Sequence, residues 1–94
     1  MAKRYFWEFN ETRQDSEQEA DNMDILHTVT LVCSSLSGKA IITIDGDKYD
    51  ISTKPLKLKG TEQMFRLGEL PAIIAFPKKS EPMLTVGGEI LKSK

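Results

Sequence analysis

An Asp-Gly pair set between two alternating runs constrains this chain more than any other stretch. Ser37–Ile51 reads SGKAIITIDGDKYDI. A two-residue type I′ loop needs positive φ at both central residues, which Asp tolerates and Gly adopts freely. With Asp45-Gly46 as the loop, Ile44 faces Asp47, Ile42 faces Tyr49 and Ala40 faces Ile51. Those pairs share a mostly apolar face, which commits Tyr49 and Ile51 to the core. Ile41, Thr43, Lys48 and Asp50 form a mostly polar one. A slip of one residue would exchange the faces, so the pattern also sets the register.

The rest of the chain repeats this grammar. Arg4–Asn10 reads as a first strand with Tyr5, Trp7 and Phe9 on one face, where aromatic side chains suit a half-buried pleat. Ile25–Cys33 is a second strand, apolar enough on both faces to be central. Leu56–Lys59 alternates briefly after Pro55. Glu62–Leu67 and Leu70–Phe76 follow, each next to a turn-forming glycine. Met83–Lys92 is a closing hairpin on Gly87-Gly88, with Leu84 opposite Leu91 and Val86 opposite Glu89. Pro and Gly interrupt every window long enough for a helix. Short strands with turn signals at this spacing predict an all-β antiparallel β-sandwich of about 7–9 short strands.

At 94 residues the chain is one domain, spanning 1–94. It has no apolar run near the ~20 residues a membrane span needs. A single cysteine, Cys33, cannot form an intramolecular disulfide, and the N-terminus lacks an export signal, so a cytosolic setting is expected. The net charge of −1 argues against broad nucleic-acid binding. That total hides an asymmetry: from Glu8 to Asp24 there are seven acids and one base, Arg13. Glu11–Asp24 has almost no apolar residues and is expected to be an acidic mobile loop. Ser16 and Glu19 fit a helix capping box, but there is no apolar stripe to dock a helix.

Catalytic and metal chemistry find little footing. His27 is the only histidine, and zinc needs four ligands. Cys33 lies on the same face as His27, but roughly 20 Å along an extended strand. Both are expected to be packed structural residues. Asp45, Asp47 and Asp50 ring a turn but lack the twelve-residue calcium-loop pattern. No phosphate-binding, dinucleotide-binding or nucleophile-elbow motif occurs. The reading is of no enzyme, no catalytic residue, no cofactor and no metal.

A resemblance extends this reading. Trp7-Glu8-Phe9, the H-x-V-x-L run from His27, SGK-x-h-h-x-h-DG at Ser37–Gly46 (h, apolar), LKLKGTEQMFRLG at Leu56–Gly68 and the hairpin at Gly87-Gly88 occur in that order. Together they resemble the Fas apoptotic inhibitory molecule family. The resemblance implies a compact antiparallel β-sandwich that acts without catalysis, regulating death signalling and stress through protein contacts. An unidentified protein partner is therefore expected, with no nucleic acid and no membrane. The candidate contact edge is the Leu56–Lys59 strand with Lys54, Lys57 and Lys59, where lysines beside a proline also serve to keep an edge soluble. The alternative function is small-ligand binding in a pocket between the sheets or at a barrel mouth, lined by Tyr5, Trp7 or Phe9.

Overall fold

The computed structural model describes residues 2–14 and 22–94. Its strands are β1 (Lys3–Gln14), β2 (Asn22–Ser34), β3 (Lys39–Ile44), β4 (Asp47–Asp50), β5 (Glu62–Leu67), β6 (Leu70–Ala75), β7 (Met83–Val86) and β8 (Glu89–Leu91). They form two antiparallel four-stranded sheets, β1-β2-β3-β4 and β5-β6-β7-β8, in the predicted sandwich class. Among the described residues, every strand pairs only with its neighbours in sequence.

The Asp45-Gly46 hairpin forms as its pattern dictates. Ile44 pairs with Asp47 and Ile42 with Tyr49. Ile51 N–H extends the ladder to Ala40 O at 2.9 Å. Both turn residues have positive φ, 50° at Asp45 and 91° at Gly46. The closing hairpin also has the expected register, with Leu84 against Leu91 and Val86 against Glu89.

The core draws on both sheets. Trp7, Val29, Leu31, Ala40 and Ile42 from the first join Leu67, Ala72, Ile74, Leu84 and Val86 from the second. Tyr5 and Trp7 stack with ring centroids 6.1 Å apart, and Trp7 is 1% exposed. Phe9 is partly buried against the same cluster. Cys33 is buried there as a small apolar side chain.

Three expectations are corrected. The first is the acidic loop. Glu11–Gln14 belong to β1 and Asn22–Asp24 to β2, so Glu11 pairs with Ile25 and Thr12 with Asp24. Polar composition hid this end of β1 because all four of its own residues are polar, and only their partners across the ladder, Ile25 and Met23 among them, carry apolar character. Thr12 Oγ1 donates to Asp24 Oδ1 at 3.0 Å, and Glu11 turns inward to a buried partner. The remainder of the segment, with Ser16 and Glu19, lies outside the described residues.

The second is the Leu56–Lys59 strand, which does not exist. Lys54-Pro55-Leu56-Lys57 is a turn closed by Lys57 N–H to Lys54 O at 3.0 Å. Pro55 supplies the fixed φ of its second position, and Leu56 takes a φ of 64° at the third, the signature of a type II turn. Leu58 then drops into the core at 2% exposed. Lys54, Lys57 and Lys59 are exposed on this connection and border no ladder.

The third is Tyr49. Its face of the hairpin is the inner one, yet its side chain is 51% exposed. β4 is the outermost strand of its sheet, and its inner face looks onto a groove.

Candidate functional site

The meander topology leaves each sheet with two outer strands, β1 and β4 in the first and β5 and β8 in the second. These meet at two seams. At one, the chain end after β8 closes onto β1: Lys94 N–H donates to Phe6 O at 2.7 Å and the Lys94 ammonium pairs with the Glu8 carboxylate. At the other, β4 and β5 leave an apolar groove of about 330 Å³.

This groove is built by side-chain alternation. Ile42 and Ile44 of β3 and Ile74 of β6 give it apolar walls. Tyr49 and Ile51 line its first-sheet side, and Gln63, Met64, Phe65 and Arg66 its β5 side. Met64 is 77% exposed, more than any other large apolar side chain among the described residues. Neither β4 nor β5 has a strand partner on its outer side among the described residues. The site therefore combines apolar surface with two rows of main-chain donors and acceptors, which is what an added strand requires.

A second cluster lies at one end of the sandwich. Glu11 from β1, His27 from β2 and Asp45 from the β3–β4 turn converge. His27 Nδ1 is 2.7 Å from Asp45 Oδ2, and His27 Nε2 is 3.0 Å from Glu11 Oε1. Glu11 Oε2 accepts from Glu69 N–H at 3.2 Å, so the second sheet is tied in as well. Asp45 Oδ1 accepts from Thr28 N–H at 2.9 Å. Burial pushes the His27 imidazole toward its neutral form. The hydrogen bonds and charges of Asp45 and Glu11 outweigh that, and its pKa is raised. With both ring nitrogens engaged by carboxylates, the imidazole has no free lone pair for a substrate or a metal. Among the described residues, no group of His, Cys, Asp and Glu is arranged to hold a metal ion. The cluster works as a clamp.

The sequence-predicted residues fall elsewhere. Tyr5, Trp7 and Phe9 do not line the groove; Tyr5 and Trp7 are spent on the core. A 90 Å³ recess beside Tyr5, Cys33 and Lys59 is smaller than ligand pockets usually are. Lys59 Nζ donates to Ser80 O at 3.1 Å, and the structure does not gather Lys54, Lys57 and Lys59 on a strand edge. Burial raises the pKa of the Cys33 thiol, with Lys59 and Lys3 opposing only in part.

Sequence reasoning missed the groove and the clamp. Alternation in Glu62–Leu67 showed which face Phe65 takes, but not that the strand would be outermost. For the clamp, the signal was the odd-numbered face of β1, since Tyr5, Trp7 and Phe9 continue to Glu11.

No protein-family profile matches the chain, and neither a curated protein nor a solved structure does.

Proposed function

We propose that this chain is a non-enzymatic protein-interaction module, with a role like that of the Fas apoptotic inhibitory molecule family it resembles. Its contact site is the open seam between β4 and β5, and it takes an extended protein segment there. The observation that carries this reading is the pairing of two strand edges, unpartnered among the described residues, with a 330 Å³ apolar groove between them. Main-chain bonds to an edge supply affinity, and alternate side chains dropping into the groove supply selectivity. A cytosolic setting suits a chain whose single thiol is buried and unpaired.

A second reading is favoured by the groove's volume. At 330 Å³ it reaches the lower end of the range for small-molecule sites, so an apolar ligand is the alternative occupant.

One experiment separates them. A displayed library of extended peptides is selected on the wild type and on Met64→Pro. Proline at an outward-facing edge position removes a donor and blocks strand addition, while the ladder to β6 is retained. The module reading expects alternating apolar peptides that bind the wild type and lose the variant. Failure to select any peptide, or equal binding to both proteins, contradicts it. Saturable uptake of small apolar molecules by both proteins supports the alternative.

A further inference from the structure

We propose that the segment taken at this seam is β5 of a second copy of the chain, giving a two-fold dimer through antiparallel β5–β5 pairing centred on Met64. This rests on the reading of β5 as a docking edge and names its partner.

The backbone fixes which residues can pair. In an antiparallel ladder, residues alternate between pointing their N–H and C=O at one neighbour and at the other. Phe76 N–H donates to Thr61 O at 2.9 Å, one step beyond the Glu62–Ala75 pair. The Thr61 carbonyl and the main-chain groups of Gln63, Phe65 and Leu67 therefore face β6. Glu62, Met64 and Arg66 direct theirs to the open edge. A second β5 must align these outward residues with one another.

Side-chain chemistry then selects the axis. With the two-fold through Met64, Met64 meets Met64 of the second copy, Glu62 meets Arg66, and Arg66 meets Glu62. Opposite charges directly across a ladder attract. The most exposed large apolar residue among those described is covered at the same time. The interface is isologous and closes on itself, so it ends at two copies and does not grow into a fibre. On the inner face, Gln63 of each copy comes beside Phe65 of the other, at the rim of the groove.

The β4 edge is a poorer candidate for self-pairing. It is four residues long, DKYD, against six in β5. One of its charges is already engaged, since Asp50 Oδ1 accepts from Ser52 N–H at 2.9 Å.

The test is a charge swap read by analytical ultracentrifugation of the full chain across a concentration series. Glu62→Arg places like charges opposite each other twice in the dimer, and so does Arg66→Glu. Each single variant is expected to weaken association roughly tenfold to a hundredfold. The double variant Glu62→Arg with Arg66→Glu restores both pairs and should dimerise like the wild type. Thermal melts by circular dichroism establish that each variant is folded, and the double variant separates lost charge pairing from damage to the strand. As a second readout, Met64→Cys should cross-link under mild oxidation while the wild type does not. A hydrogen-bonded antiparallel pair sets its Cα atoms about 5.5 Å apart, within disulfide reach. The proposal fails if the wild type is monomeric at its highest soluble concentration, if the single variants associate like the wild type, or if the double variant stays dissociated. A dimer broken by Lys48→Glu and indifferent to the β5 swap would place the contact on β4 and overturn it too. Peptide selection on a monomeric protein would leave the module reading standing and this one refuted. A swap-sensitive dimer that selects no peptide would do the reverse.

Discussion

His27 Nε2 lies 3.0 Å from Glu11 Oε1, with each side chain almost closed off from solvent at 6% and 7% exposed. This contact joins the two longest strands at the point where polar composition had suggested that the first one ends. It also holds the Asp45 turn on one side and the Glu69 backbone on the other. The His27–Glu11 pair thus fastens the β3–β4 hairpin through the imidazole, the β5–β6 turn through the carboxylate, and the β1–β2 ribbon through both.

The clamp sets a pH dependence. The folded-state pKa of His27 is raised above its usual value, so the folded protein holds this proton more tightly than the unfolded chain does. The resulting stability is fully present below the unfolded value of about 6.5 and is lost as pH rises through the folded value. Urea unfolding should show the wild type's advantage over His27→Gln shrinking as pH climbs above about 6.5. An advantage that is flat or grows over that range would contradict the clamp. Removing Glu11 by Glu11→Ala should cost roughly 2–3 kcal/mol at neutral pH, the scale of a buried hydrogen bond to a charged group.

Gly68 should be far less replaceable than Gly46. Both have positive φ, 65° and 91°. A Cβ on Gly46 meets nothing within 4 Å, so Gly46→Ala should cost about 1 kcal/mol in backbone strain alone. A Cβ on Gly68 would press on the Glu11 carboxylate and come 2.7 Å from His27 Nε2. Gly68→Ala should therefore lose more than about 2 kcal/mol, adding disruption of the clamp to the same strain. Equal losses in urea melts would show that the clamp tolerates displacement.

The connection between the sheets offers a sharp contrast two residues apart. Leu58 is 2% exposed and Leu56 is 70% exposed. Leu58→Ala should destabilise by roughly 2–4 kcal/mol, as buried leucines do. Leu56→Ala should stay within about 0.5 kcal/mol. Comparable effects in thermal melts would mean that the connection is not anchored where described.

Cys33 should be inert while the chain is folded. Burial raises its thiol pKa and limits access. Labelling with a thiol-reactive chromophore should be slow in buffer and fast in denaturant. Rapid labelling of the native protein would show that this part of the core opens readily.

The turns were the legible part of the fold, because Asp45-Gly46 and Gly87-Gly88 meet a local backbone demand that their neighbours' alternation confirms. The aromatic face of β1 was legible for the same reason. Leu56–Lys59 misled because its alternation was too short to outweigh Pro55, whose ring favours the turn actually adopted. Glu11–Gln14 misled because a run of polar residues can extend a ladder once one of them finds a buried counter-charge. That counter-charge came from His27, 16 residues away in sequence, and local patterning does not register it. The groove arises from strand order, which alternation within single strands does not encode.

Each sheet is cut from one continuous stretch of chain, Lys3–Asp50 and Glu62–Leu91, and the core is shared between them. Pairings between sequence neighbours close short loops, so either ribbon can begin to form without waiting for the other, and the whole should fold quickly for a β protein. Yet neither ribbon has a second layer of its own to dry its apolar face. Severed within residues 51–61, the chain should yield two fragments that each leave an apolar sheet face uncovered and that complete the core only together. Fused to two separate bodies, such halves would be expected to regain the fold only when those bodies come within reach.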